Sequence, residues 1–170
     1  MMKNAYKLII VLIIVLFVFA IVYFLVLPNM TGLAASRKSS GCIALAGLPD
    51  GECTPGAVFN VTAKEICVSG YSSRVRDVSQ SLKEEVYAEY GITTHKTGEY
   101  EVDHLIPLEI GGSNDISNLW PEAAEPKPGC HEKDRVENYL HKIVCNGTMP
   151  LEDAQRMIAT NWTAVWVRIQ

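Results

Sequence analysis

The sequence lacks several features that would assign it to a class at once. It has five cysteines but no Cys-x-x-Cys pair, which argues against a zinc ribbon. It has no excess of basic residues, since its formal net charge is −4, and this excludes a protein that coats nucleic acid through a broadly basic surface. It also has no internal repeat and no basic stripe for reading bases. Any contact with nucleic acid must therefore come from a local patch or a metal ion.

One long apolar run stands near the N-terminus. Residues 8–27 read LIIVLIIVLFVFAIVYFLVL and carry no charge. A helix that spans a membrane needs roughly 20 apolar residues, whereas the apolar part of a cleavable signal has only about 7–15. We therefore expect a membrane anchor at residues 1–27, with the rest of the chain outside the cytoplasm. Small residues at 32–35 keep the alternative open, in which the segment is cleaved and the protein is secreted.

The remainder divides into a linker and a domain. Residues 28–52 are rich in Gly, Ser, Ala and Pro without a clear period, which is typical of a linker. Residues 53–170 are the predicted folded domain. In an oxidising compartment the cysteines would form two disulfides and leave one thiol. Proximity in the sequence favours Cys53–Cys67 and Cys130–Cys145, although the sequence alone does not fix the connectivity.

The periodicity of the domain predicts an α+β fold. Apolar residues at i, i+4 spacing predict a helix over 79–90, with Ser79 or Ser81 as its N-cap. Residues 100–106 are predicted to form a strand, and residues 108–110 its return arm, ended by two glycines. Two further helices are expected, one over about 130–144 and one that begins at Pro150.

Three polar positions lie around the predicted hairpin. Asp103 and His104 are adjacent near the end of the strand, and His131 stands at the start of a predicted helix. A carboxylate and an imidazole from two elements can hold one divalent cation and leave positions open for water and substrate. Asn118 can fix the loop and orient His104, while Asn114 is an equally good turn former. Taken singly, each of these residues is explained as well by an ordinary surface or turn position.

The combined pattern resembles the HNH nuclease family. The resemblance rests on Val-Asp-His-Leu-Ile-Pro-Leu, then Gly-Gly-Ser-Asn-Asp, then Asn118-Leu119, and then Cys130-His131. The wider stretch from Cys53 to Trp166 looks, less closely, like small exported HNH-type bacterial proteins. This resemblance implies a small ββα-metal domain with additional flanking helices, preceded here by the expected transmembrane helix.

The resemblance also implies an activity and roles for single residues. The expected function is a metal-dependent endonuclease that hydrolyses phosphodiester bonds, in DNA and with RNA as a second substrate. His104 would be the general base, Asn118 would orient it, and Asp103 and His131 would hold the metal. Mg²⁺ or Mn²⁺ is the expected cofactor, with Zn²⁺ or Ni²⁺ as alternatives. The candidate ligands for substrate phosphate are Arg74, Arg76, Lys133 and Arg135.

Two features of the sequence depart from compact members of that family. The segment between Asn118 and His131 is longer and contains three prolines, and the paired cysteines of a structural zinc site are missing. The alternative interpretation is a non-catalytic, disulfide-stabilised binding or interaction domain outside the cytoplasm, with an HNH-like fold. The acidic net charge favours this alternative, because tight phosphate binding usually needs a basic surface.

Overall fold

The computed structural model of the chain describes residues 13–17, which are helical, and residues 36–170. Within these ranges, no helix is long and apolar enough to cross a membrane. This finding corrects the predicted fold class, because the N-terminal transmembrane helix that it included is not found. Most of residues 8–27, on which that prediction and the predicted membrane contact were based, lie outside the described residues.

Arg37–Gln170 forms a compact unit of helices and a small sheet. Its helices are α1 (Ala63–Ile66), α2 (Tyr71–Val75), α3 (Gln80–Glu89), α4 (Cys130–Cys145) and α5 (Leu151–Ile169). Its strands are β1 (Tyr100–His104) and β2 (Leu119–Ala123), and the 3-10 turns Leu108–Ile110 and Ile116–Asn118 lie between them. Ser79, one of the two predicted caps, accepts a hydrogen bond from the backbone N–H of Leu82 at the start of α3.

The two strands are antiparallel, with Tyr100 opposite Ala123 and His104 opposite Leu119. The return strand therefore comes later in the chain than predicted, and residues 108–110 form a 3-10 turn instead. β1 ends at His104, and Pro107, which has no N–H for a ladder, precedes the 3-10 turn. The chain then turns so sharply that a Cβ on Gly112 would lie 1.7 Å from the carbonyl oxygen of Ile106, so this position accepts only glycine.

The core lies between the two long helices and the loop that joins the strands. The buried face of α4 repeats at i, i+4 through Val136, Leu140 and Val144. It packs with the apolar face of α5, which includes Ile158 and Trp162. This packing fixes the position of α4 relative to the loop after β1, and both elements contribute to the site described below.

The segment before α1 is attached to the domain. The guanidinium of Arg37 forms two hydrogen bonds with the Glu89 carboxylate, at 2.5 and 2.7 Å. The indole N–H of Trp162 donates to the carbonyl oxygen of Gly47 at 2.6 Å. The predicted linker, residues 28–52, is described from residue 36 onward, and from Arg37 it belongs to the compact unit.

The disulfides are Cys42–Cys53 and Cys67–Cys145, and Cys130 is a buried free thiol. The predicted pairings Cys53–Cys67 and Cys130–Cys145 are therefore wrong. The second is excluded because Cys130 and Cys145 stand at opposite ends of α4, about 22 Å apart along the axis at 1.5 Å per residue. Two disulfides indicate that the domain matures in an oxidising environment outside the cytoplasm.

Removing the two disulfides in turn should lower stability by different amounts. The Cys67–Cys145 bond closes a separation of 78 residues, and the Cys42–Cys53 bond one of 11. Chain-entropy reasoning gives about 4.5 kcal/mol for the long loop and about 3 kcal/mol for the short one. Urea unfolding of C67A/C145A and C42A/C53A should therefore show the larger loss for the first variant. An equal loss of stability in the two variants, or a larger loss for C42A/C53A, would contradict the assignment of these loops.

Candidate functional site

The most polar cavity next to the hairpin has a volume of about 250 Å³. The end of β1, the turn after Pro107, the region of α2 and one face of α4 enclose it. The charged and amide side chains in its lining are those of Arg76, Asp103, His104, Glu109, Asp134, Glu137 and Asn138. This concentration of ionisable groups around one imidazole makes it the candidate active site.

His104 is the last residue of β1 and only 2 % exposed. The Nε2 atom of its ring lies 3.1 Å from Oδ1 of Asn114. Burial is the main cause that lowers the pKa of His104, and the nearby charges of Arg76 and Lys133 lower it further. The imidazole is therefore neutral near pH 7, which is the form that can accept a proton.

Asn118 shapes the loop between the strands. Its side chain is fully buried, and its Oδ1 accepts a hydrogen bond from the backbone N–H of Ile106 at 2.9 Å. Its Nδ2 donates to the carbonyl oxygens of Ile106 and Ser113, both at 2.9 Å. These contacts match the predicted loop-fixing role. The side chain that contacts the His104 ring is that of Asn114, which the sequence interpretation had treated only as a turn former.

Lys133 lies behind the pocket and is fully buried. Its ammonium donates to Oδ2 of Asp103 at 2.5 Å, to the carbonyl oxygen of His104 at 2.7 Å and to the Glu137 carboxylate. A third carboxylate, that of Glu122, lies 3.8 Å away. Lys133 thus joins α4 to the end of β1, and it has no exposed surface with which to bind the substrate phosphate predicted for it.

The charges of this cluster compensate one another. Burial opposes the ionisation of Asp103, but the adjacent Lys133 ammonium holds its pKa below the usual value. Burial raises the pKa of Glu137 to about 8 and that of Glu122 to about 10. Burial disfavours the Lys133 ammonium, yet the charge of Asp103 is the main cause that raises its pKa well above the usual value. Near pH 7 the cluster is therefore one ion pair, Lys133–Asp103, with Glu122 and most of Glu137 protonated.

His131 is not brought to the pocket. It is exposed in the first turn of α4 and does not contribute to the lining. Lys133 faces β1, and a residue two positions away on a helix points to nearly the opposite side. The same helix presents Asp134, Glu137 and Asn138 to the cavity instead. The HNH motif points to His131, whereas these residues lie on the i, i+3, i+4 face of α4 that includes Lys133.

Only one of the four predicted phosphate ligands lines the cavity, and it is Arg76. The Arg74 side chain donates to the carbonyl oxygen of Ser69 at 2.9 Å. The Arg135 guanidinium lies 4.7 Å from the centre of the Trp166 ring, which is a cation–π contact. Arg76 is therefore the candidate for anion binding at this site.

The carboxylates of the pocket suit a hard divalent cation. Oε2 of Glu109 is buried and has no hydrogen-bond partner within the described residues, so it is free to act as a ligand. Oxygen donors are those that Mg²⁺ and Mn²⁺ prefer, and the cavity has a single imidazole for a softer metal. Among residues 13–17 and 36–170, however, no three His, Cys, Asp or Glu ligand atoms around this cavity lie within 4.8 Å of one another.

A second group of potential metal ligands lies elsewhere in the described part of the chain. The ligand atoms of Cys67, His141 and Cys145 are all within 4.8 Å of one another. The two sulfur atoms are bonded to each other in this structure, which leaves His141 as the one free donor of the three. Nε2 of His141 is 3.3 Å from the sulfur of Cys145 and 3.3 Å from the carbonyl oxygen of Ile66.

Comparison with known proteins identified no relative, since no family description, curated protein or solved structure matches the chain.

Replacing Lys133 with methionine should destabilise the domain by about 3–5 kcal/mol, the usual cost of removing one member of a buried ion pair. The reason is that the partly buried carboxylate of Asp103 would lose the counter-charge of the fully buried Lys133 ammonium. Lys142 lies on the same helix, is exposed and has no ion pair within the described residues, so K142M is the matched control. Urea unfolding should show a large loss for K133M and almost none for K142M. Equal midpoints would show that the buried ion pair does not stabilise the fold.

Proposed function

We propose that the chain is a metal-dependent endonuclease that hydrolyses phosphodiester bonds in nucleic acid, with DNA as the main substrate and low sequence specificity. The observation that carries this proposal is a neutral, buried imidazole held at the wall of a cavity that also contains a guanidinium and several carboxylates. A base of this kind, next to an anion-binding group, is what phosphodiester hydrolysis requires.

In this proposal His104 accepts the proton of the attacking water. Its low pKa keeps it unprotonated at neutral pH, which is the state that a general base needs. Arg76 binds a non-bridging oxygen of the scissile phosphate, since its side chain lines the same cavity. Asn118 keeps the loop after β1 in the shape that holds both walls of the cavity together.

A divalent cation would stabilise negative charge that develops on the phosphate. Glu109, Asp134 and Glu137 are the residues that would hold it, with Asn138 as a neutral oxygen ligand. These ligands favour Mg²⁺ or Mn²⁺ over Zn²⁺ or Ni²⁺. Because the carboxylates do not form a close three-ligand group, water and substrate oxygens would complete the shell, as is usual for Mg²⁺.

Low sequence specificity follows from the charge and the size of the site. The chain has a net charge of −4, and the cavity of about 250 Å³ accommodates a backbone phosphate rather than an extended duplex surface. Contacts limited to the phosphate backbone carry no sequence information. The same contacts do not distinguish DNA from RNA, so RNA remains the second substrate of this proposal. The disulfides support a location outside the cytoplasm for the proposed activity.

The second candidate function is a binding domain that keeps this fold without catalysis. The acidic composition favours it, because carboxylates near the cavity repel a polyanion. The two functions differ in what the imidazole does. A non-catalytic binding domain would cut no nucleic acid, whether or not His104 is removed.

Replacing His104 with alanine should lower the nicking rate of supercoiled plasmid by at least about 100-fold, the usual contribution of a general base. The assay contains the purified protein with Mg²⁺ or Mn²⁺, and EDTA should stop the reaction. His131→Ala is the matched control and should keep wild-type activity, because His131 is exposed and outside the cavity.

Two results of this assay would contradict the proposal. If folded wild-type protein cuts no nucleic acid with any divalent cation, the enzyme proposal fails and the binding domain is favoured. Loss of activity in H131A with retention in H104A would move the reaction away from the cavity of His104.

The two neighbouring arginines provide a second comparison. Arg76→Ala should lower the nicking rate about tenfold or more, because a charge-assisted hydrogen bond contributes about 1.5–3 kcal/mol and 1.4 kcal/mol is a factor of ten. Arg74→Ala should have little effect, because the Arg74 side chain bonds to the backbone of Ser69 outside the cavity. Initial rates at several plasmid concentrations test both variants. A larger loss in R74A than in R76A would place phosphate binding elsewhere.

A further inference from the structure

We infer that Asn114 is a positioning residue that fixes His104 in the tautomer with the proton on Nε2, so that Nδ1 presents its lone pair to the cavity. The tautomer itself follows from hydrogen-bond geometry. Its catalytic consequence rests on the proposed function, because only a general base needs a defined free lone pair.

A contact with α2 determines how the side-chain amide of Asn114 is oriented. One of the two polar atoms of the Asn114 side-chain amide lies 2.7 Å from the carbonyl oxygen of Val75. A carbonyl oxygen only accepts hydrogen bonds, so the amide must present its NH₂ group there. The opposite orientation would place two acceptors 2.7 Å apart. The oxygen of the amide therefore points toward His104.

The orientation of the amide then determines which ring nitrogen carries the proton. Oδ1 of Asn114 is an acceptor, and it lies 3.1 Å from Nε2 of His104, so Nε2 must be the donor. A neutral imidazole has one N–H, which leaves Nδ1 without a proton. Within the described residues Nδ1 has no hydrogen-bond partner and is not among the buried unpartnered polar atoms, so water can reach it.

The same hydrogen bonds connect three parts of the site. Val75 is the last residue of α2, where helix carbonyl groups have no intrahelical partner. Asn114 bonds to that carbonyl and to the last residue of β1, and Arg76 follows directly in the chain. The side chain proposed to fix the tautomer of the base thus also connects the base to the backbone next to the proposed phosphate ligand.

The tautomer can be observed without any activity measurement. Full-length protein labelled with ¹⁵N-histidine contains four histidines, and two-bond ¹H–¹⁵N correlation spectra show which ring nitrogen carries the proton. The signals of His104 are assigned by their absence in H104A. At a pH where His104 is neutral, the wild-type protein should show the proton on Nε2. A proton on Nδ1 would overturn the inference, whether or not the chain cuts DNA.

Variants at position 114 test whether Asn114 causes the preference of His104 for one tautomer. Asn114→Ala removes the acceptor, so His104 should populate both tautomers. Asn114→Ser also removes the acceptor that lies 3.1 Å from Nε2, and it takes the place of N114A where that variant does not fold. Asn60→Ala, at an exposed position without a side-chain hydrogen bond in the described residues, is the control and should leave the spectrum unchanged. Unchanged tautomers in folded N114A would overturn the inference.

The nicking assay tests the consequence for catalysis. N114A should lower kcat by about 10- to 100-fold, the usual cost of losing the partner of an active-site histidine, while KM changes little. A kcat equal to that of the wild type in N114A would refute the positioning role even if its tautomer has changed. If the wild-type protein cuts no nucleic acid, the proposed function fails, and the spectra still decide the tautomer.

Discussion

The ammonium of Lys133 is the interaction on which the arrangement of this domain depends. It is enclosed between α4 and the end of β1, where it bonds to the Asp103 carboxylate and to the carbonyl oxygen of His104. Two elements that are far apart in the sequence thereby hold a fixed position next to each other. An isolated buried cation is strongly disfavoured, so this position is stable only because carboxylates surround it. The same constraint determines which face of α4 points to the cavity, and that face excludes His131.

Two asparagines then build the loop around this fixed point, each with a distinct task. Asn118 satisfies the backbone of the turn after β1, where Gly112 permits the close approach of the chain. Asn114 bonds outward to α2 and to the His104 ring. One amide therefore shapes the loop and the other orients the imidazole. The similarity of the two residue types hides this division in the sequence, and only their positions in the fold reveal it.

The long periodic segments could be predicted from the sequence, and the contacts between them could not. The helices that became α3, α4 and α5 follow from apolar spacing and caps, and their bounds are close to those expected. The return strand was placed too early, because a short apolar run such as residues 108–110 suits a strand and a 3-10 turn equally well. The disulfides were paired by proximity in the sequence, although a helix keeps Cys130 and Cys145 apart. The motif predicts His104. Only the tertiary fold brings Asn114, Asp134 and Glu137 near it.

The charge of the cavity bears on the conflict between an acidic chain and the proposed polyanionic substrate. By composition the cavity is strongly negative, yet burial raises the pKa of Glu137, in its lining, to about 8 and that of Glu122, beside Lys133, to about 10. Both carboxyls are largely protonated near pH 7, and Asp103 is neutralised by Lys133. The negative field that a phosphate would meet is therefore weaker than the sequence indicates. A divalent cation that binds Glu137 must displace its proton, so cation affinity should rise with pH through this range.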